Sequence, residues 1–552
     1  MNYAIGQYAI GQWGIDLSTP DYFAELLKRP SFEIIYLIEF DPYDSSISST
    51  VLGSPPVSVN AIGAWDFSYT GGVRSIYFSD KGYMTGESDS PIHTNYLPVT
   101  TNPLQIDASV FNGVFSGRAG SFGAIRLLNG DGDLDDLLDM YWSGRNVRVF
   151  AGSADFTRDK FVKVFDGLCD SIEHSEDEII INIQNNEKIL ESEFTQTLYD
   201  GSGGLDGGSD LESKPKPLLY GEVLRISPVL VDAVNLVYQI HDGAIEDVTA
   251  VYDRGVALTD GGDVADITVA SVSAGQFKTQ LSGGYIKLGS TPDGQITVDA
   301  KGDNADGYIS TSGQIVTRLL RTKLGLYNLT DSNIDQGAFN EVDIAVPAAI
   351  GVYIFEKTTV RNVMDSILTP IQCYWTYDGQ GMITAGVGKE PSESMYTLDE
   401  NNIMDGEIKA VAVYTPSWRV NIGYARGWTN QSEIATGASD SYRDFAQQEY
   451  RKVVIEDRNV RTKSNISIEQ NFNTLIVNEA DAIVQAARIA ELYNQKRTLY
   501  KVLAKDVFFR IQIGNTVTVI LNRFGLDAGK DFLIVGVSYD AETNLTELEL
   551  WG

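Results

Sequence analysis

Residues 215–258 read PKPLLYGEVLRISPVLVDAVNLVYQIHDGAIEDVTAVYDRGVAL, and this stretch decides the fold class. Pro215, Pro217, Gly221, Pro228, Gly243 and Gly255 divide it into short apolar runs rich in Val, Ile and Tyr. Turn formers at such spacing predict short strands joined by tight turns. The chemistry is sparse: His241 is the one imidazole, and Asp242-Gly243 beside it is turn material rather than a charge-relay partner.

The same texture extends outward. Ile34 to Phe40 is a long apolar run, and Ile179, Ile181 and Ile183 alternate with Asn182 and Gln184 as a half-buried strand requires. Two further strands are expected between Val147 and Leu168, with a short helix near Leu134 to Tyr141. In the C-terminal part, Val517, Val519 and Leu521 share one face, and Leu548 and Leu550 alternate with Glu547 and Glu549. A chain of 552 residues exceeds what one core serves, since single cores stop growing at roughly 250–300 residues.

Helical periodicity is confined to a few places. Val360, Val363, Met364, Ile367 and Leu368 repeat at helical spacing before Pro370, and Ile315 to Leu324 ends at Gly325. Asp378-Gly379-Gln380-Gly381 joins two apolar runs as a hairpin. Thr291-Pro292-Asp293-Gly294 has the composition of another hairpin turn. A long helix is expected from Asn478, with Ala480, Ile483, Val484, Ala487 and Ala490 as its buried face. At the start, two YAIGQ pentads (Tyr3 to Gln7, Tyr8 to Gln12) suit an extended arm, and Thr19-Pro20 opens a short helix that Pro30 stops.

These signals predict a mainly β, multidomain chain with α+β modules. The divisions are an N-terminal arm and short helix at 1–30, a β-rich domain at 31–200 and a Gly-rich acidic linker or loop at 201–217. A β-rich middle module follows at 218–310, a small α+β module at 311–404, and a β-rich domain with one long helix at 405–552.

Composition narrows function. The formal net charge is −33, from 42 Lys and Arg against 75 Asp and Glu, and phosphate neutralisation needs clustered cations. Sequence-specific DNA binding is therefore not expected. Cys169 and Cys373 stand far apart in apolar contexts without a CxxC motif and read as free buried thiols. The N-terminus lacks the pattern of a secretory signal, and no run approaches the roughly 18 apolar residues that a membrane span needs.

Each constellation that resembles a site has a plainer account. Asn129, Asp131, Asp133 and Asp135 alternate like calcium ligands, but the sixth position from Asn129 is Leu134 and the twelfth is Met140. A tight turn before an acid-rich helical start explains the pattern. Cys169 and His174 are five apart on an expected strand and so face opposite ways. Gly201 to Gly208 lacks a GK[ST] ending and precedes Asp210 and Glu212, which repel phosphate. Tyr374, Trp375 and Tyr377, like Trp418, Tyr424 and Trp428, are residues for cores or interfaces before they are sugar-stacking platforms. The expectation is no catalytic residue, no cofactor site and no metal site.

The PLLYGEV entry, the PVLVD strand and the YQIHDGAIEDVTAVYDRGVAL run, together with Gly120 to Val149 and Ile511 to Gly552, resemble tail-tip and baseplate hub proteins of long-tailed bacteriophages. The resemblance implies tail-tube-like β-barrel or sandwich domains near both ends, two to a chain, so that a homotrimer matches a six-fold tube. It implies a structural virion protein rather than an enzyme, assembled in the host cytoplasm and carried at the tail tip. Its partners would be a tail-tube or distal tail protein, the tape-measure protein and distal fibre or tip proteins. Genomic DNA would pass through without specific binding, past an acidic lining, and no stable membrane insertion is implied. A receptor- or polysaccharide-binding tip protein and a tail-borne peptidoglycan hydrolase are the alternatives.

Overall fold

The computed structural model describes residues 33–46, 72–117, 120–194, 197–326, 329–505 and 508–552. The N-terminal arm with its paired pentads, and the helix expected after Thr19, lie outside these residues.

The chain is mainly β, as the alternation predicts. Nine strands build the N-terminal sheet, in the order Tyr83–Met84, Asn95–Pro98, Ile76–Ser79, Ile35–Phe40, Asn146–Gly152, Val162–His174, Glu178–Gln184, Ala124–Leu128 and Thr100–Asn102. Ile35–Phe40 reads as an apolar run broken only by Glu39 because it lies mid-sheet with every residue buried. Ile179, Ile181 and Ile183 point into the core. The short helix expected near Leu134 is a 3-10 turn at Asp135–Asp139, with Asp135 and Asp136 opening it.

The C-terminal sheet runs Tyr396–Leu398, Thr516–Val519, Lys530–Asp540, Leu545–Trp551, Arg497–Lys505 and Ile403–Tyr414. One strand from the N-terminal half crosses into it. Gln105–Ser109 pairs antiparallel with Lys530–Asp540, setting Ile106 opposite Tyr539 and Ala108 opposite Val537, and Ser121–Phe122 pairs with its inner part. The two β-rich ends are thus stitched together by backbone hydrogen bonds. Consistently, the Tyr36 hydroxyl meets the Tyr539 hydroxyl, and a single hydrophobic core runs from Ile35 to Trp551.

Residues 218–303 carry a core of their own around Leu219, Ile240, Val251, Ile286 and Val298. It lies in two five-stranded sheets. The Thr291–Gly294 stretch bends the chain at Asp293 and Gly294, whose N–H groups donate to the Asp253 carboxylate, but it does not close a hairpin. Tyr285–Leu288 before it pairs with Val237–Gln239 and Gln276–Gln280, whereas Ile296–Asp303 after it pairs with Leu218–Ile226 and Ile245–Asp253 in the other sheet. Turn chemistry fixes a bend, while the partner of each strand is chosen by which apolar faces meet. The Gly201–Pro217 stretch is folded back on itself. Ser213 N–H donates to the Tyr199 carbonyl, Lys216 Nζ lies 2.9 Å from Asp206, and Leu211 is buried beside Tyr199.

Helices Ser312–Arg321, Gln336–Ala345 and Val360–Leu368 and the hairpin Cys373–Tyr377/Ile383–Val387 lie against the main core. In Val360–Leu368 the predicted apolar positions are the buried ones. The helix Glu479–Tyr493 follows Asn478 as expected, but its buried face is different. Ala482, Gln485, Ala486, Ile489, Leu492 and Tyr493 pack inward, while Ile483 and Val484 are 46% and 68% exposed. The inward polar position is made possible by Gln485, whose amide donates to the Ile371 carbonyl at 3.0 Å. A polar residue with a buried partner counts as core, and apolar periodicity alone reads past it.

Candidate assembly site

Where the sequence hints at chemistry, the fold disperses the groups. Asn129 is consumed inside its own turn: its Nδ2 donates to Asp135 Oδ1 at 2.8 Å, and its Oδ1 accepts from Leu134 N at 2.9 Å. Gly132 takes φ +77°, which the tight turn requires. The expected opposite facing of Cys169 and His174 does not hold: a bulge between Cys169 and Ser171 sets Cys169 opposite Ile183 and His174 opposite Ile179, on one face. The two are kept apart by the length of strand between them, with Cys169 fully buried and His174 exposed. Both cysteines are free and buried. Burial pushes the Cys373 thiol up to about 11, the opposite of what a nucleophile needs. Tyr374, Trp375 and Tyr377 are buried, and Trp375 donates its indole N–H to Asp365 at 2.7 Å.

His241 does have an acidic partner, which is Asp303 rather than Asp242. Its Nδ1 accepts the Leu219 N–H at 2.9 Å, and its Nε2 lies 3.7 Å from Asp303 Oδ1. The other Asp303 oxygen is paired with Arg318 of the Ser312–Arg321 helix. Burial opposes ionisation of Asp303, but His241 and Arg318 outweigh it and hold the carboxyl below its usual range. The arrangement joins a strand to a helix in place. It was illegible in the sequence because the pairing spans 62 positions, which no local pattern encodes.

Asp378, at the predicted hairpin turn, is the other perturbed acid. Burial pushes it up to about 7 against the N–H groups of Met382 and Gln380, with Asp335 adding repulsion and Lys163 attraction. A carboxyl with its folded pKa raised above the ordinary 3.8 stabilises the fold fully below that value. The contribution is lost as pH rises through about 7. Asp378→Asn should therefore gain stability relative to the parent chain between pH 4 and 8. Paired urea titrations across that window check it, and an unchanged difference would refute the burial account.

What remains uncovered is apolar surface, and much of it lies in the C-terminal part. Among the described residues the Ile403–Tyr414 strand ends its sheet, pairing with Arg497–Lys505 alone, and it exposes Val411 and Val413. The Glu479–Tyr493 helix presents Ala480, Ile483, Val484 and Ala487 at i, i+3, i+4 and i+7 to solvent. Uncovered edges and stripes of this kind are surfaces that natural chains normally blunt or cover. The sequence did flag the helix stripe as a buried face; it could not say that the chain's own fold leaves it bare.

No protein-family model matches the chain, and no curated protein matches it. Among solved structures, a tail protein from Neisseria meningitidis is similar at 11% identity and a TM-score of 0.37, over 83% of this chain and 93% of that one. A prophage tail protein from Shewanella oneidensis gives 10% identity and 0.35, over 83% and 95%. A prophage tail protein from Listeria monocytogenes gives 8% and 0.31, over 84% and 93%. Superpositions this loose transfer neither fold nor role.

Proposed function

We propose that this chain is a structural subunit of a phage tail tip or baseplate, working as an oligomeric hub ring that joins the tail tube to distal tip or fibre proteins. The observation that carries the reading is the bare apolar stripe Ala480, Ile483, Val484 and Ala487. A face written for burial and left open by the monomer is covered in an assembly. The open Ile403–Tyr414 edge supports the same conclusion. The motif order at 120–149, 215–258 and 511–552 supplies the tail context.

In this reading the parts at 31–200 and 405–552 build a homotrimeric ring around the DNA path, and the modules at 218–310 and 311–404 lie between them. The tail-tube or distal tail protein, the tape-measure protein and the distal fibres are its neighbours. The charge of −33 suits a channel past which DNA slides without binding. It follows that the protein assembles in the host cytoplasm and works without enzymatic activity.

Val484→Asp should abolish oligomerisation while changing unfolding free energy by no more than about 0.5 kcal/mol, as for an exposed site. Light scattering across a concentration series, with three-dimensional imaging of the parent assembly, tests this. A parent chain that stays monomeric at every concentration, or acidic residues found only on the outer wall of the ring, would sink the hub reading.

A further inference from the structure

Residues 425–450 form an excursion between two strands that pair with each other: Tyr424 on Ser417–Tyr424 lies opposite Arg451 on Arg451–Glu456. Its ends are thus tied together at the sheet, as in an Ω-loop. The excursion is bonded within itself. Gly427 N–H donates to the Glu449 carbonyl at 2.7 Å and Gln431 N–H to the Ala446 carbonyl at 3.0 Å. Arg443 binds the carbonyls of Ala435, Thr436 and Ala438. Ala438, Tyr442 and Ala446 make a small core separate from the main one, and Ser439 caps the helix Asp440–Ala446.

The excursion lies on the middle module, with Tyr442 against Tyr252, Trp428 against Tyr353 and Gln431 Nε2 donating to the Gln295 carbonyl at 3.3 Å. Ala435 N–H reaches the Arg254 carbonyl at 2.8 Å, Trp428 N–H reaches the Leu224 carbonyl at 3.3 Å, and the Tyr442 and Thr297 hydroxyls meet at 2.9 Å. The central attachment is Arg225. This side chain is fully buried, with φ +52° at a bulge of its strand, and its guanidinium stacks 3.9 Å over Phe445 while donating to the carbonyls of Phe445 and Gln448. Gly427 leaves the space, since a Cβ there would overlap the guanidinium. Asp299 accepts the Arg225 backbone N–H at 2.7 Å, leaving the guanidinium bonded to carbonyls and its Nε unmet among the described residues. A buried cation given only carbonyl partners recovers its hydration when the contact opens, which brings the closed and open states close to balance.

We propose that residues 425–450 are a strap that lifts from the middle module as one unit, with Arg225 as its pin. Lifting uncovers Tyr252, Gly255 and Thr297 and leaves the sheet beneath the strap's ends intact. The device goes beyond the ring reading and does not depend on it.

Hydrogen exchange on the full-length protein, followed by mass spectrometry, tests it. In the parent chain, amides of 427–449 should exchange together and at least about tenfold faster than those of Ser417–Tyr424 and Arg451–Glu456, as for a local opening unit. Arg225→Met, which removes the pin, and Gly427→Val, which keeps Arg225 but fills its space, should each speed strap exchange about a further tenfold and spare those two strands. Strap amides as protected as the flanking strands would overturn the proposal. So would loosening by either variant that spreads equally through the strap, the strands and residues 218–303. If Arg225→Met fails to fold, the parent chain and Gly427→Val still decide.

Discussion

Replacing Trp551 by alanine should cost about 3–5 kcal/mol of stability, the range for removing a large aromatic from a packed core. Trp551 is fully buried near the chain end. Its ring lies 5.7 Å from Phe111 and 5.6 Å from Phe115, and the Arg497 guanidinium sits 4.7 Å above it. Phe115 in turn stacks on Tyr374 of the central hairpin, and its N–H donates to Gln372 at 3.3 Å. One indole therefore holds N-terminal, central and C-terminal elements in one place. Because these share a core, denaturant melts of Trp551→Ala should show a single transition moved to lower urea. A double cycle with Phe115→Ala should return about 0.5–1.5 kcal/mol of coupling for the aromatic pair. Two separate transitions, of which only one moves, would mean that the two ends fold independently and that the stitching strand Gln105–Ser109 contributes little.

Removing the Glu39 carboxylate is the second large effect expected. Glu39 lies on the buried Ile35–Phe40 strand, where its oxygens accept from Arg158 Nη2 at 2.7 Å, Tyr96 Oη at 2.6 Å and Arg148 Nε at 3.3 Å. Arg158 is itself buried, stacked 3.6 Å over Phe150, and Glu39 is its ion-pair partner. Glu39→Ala strands that cation in the core, which costs about 3–5 kcal/mol. Replacing Glu39 and Arg158 together by apolar residues of similar volume should recover much of the loss, because no uncompensated charge then remains. Burial would raise the Glu39 carboxyl, but Arg158, Tyr96 and Arg148 outweigh it and hold it below 4.5. A depressed folded pKa contributes stability that is present above the unfolded value and lost as pH falls through the folded one. The parent chain should therefore lose stability on acidification below about pH 4.5 more steeply than the apolar double variant. Equal acid sensitivity in the two proteins would refute the assignment.

The two acids perturbed in opposite senses, Glu39 and Asp378, illustrate what a sequence can and cannot carry. Both are single carboxylates next to apolar residues, one in IYLIEF and one in YWTYDGQG. The hairpin at Asp378 was readable because its turn residues are local and act within four positions. The ion pair at Glu39 was not, since Arg158 lies 119 positions away and the two meet only when Ile35–Phe40 enters the middle of the sheet. His241 and Asp303 repeat the lesson inside the opening stretch: the turn at Asp242-Gly243 was legible, and the acid that faces the imidazole was not.

By itself the sequence determined the element types. Alternation set the strands at Glu178–Gln184 and Leu545–Trp551, and the i, i+3, i+4 spacing set Val360–Leu368. Such preferences are read from residues within one or two turns of each other, and they survive into any fold. Only the tertiary structure decided which sheet Gln105–Ser109 joins, where the Thr291–Gly294 turn sends the chain, and which face of Glu479–Tyr493 is covered. Each of these depends on a distant surface being in place to receive an apolar face or a hydrogen bond. Gln485 shows the reason most directly: it is a core residue because the Ile371 carbonyl, 114 positions away, is there to accept its proton.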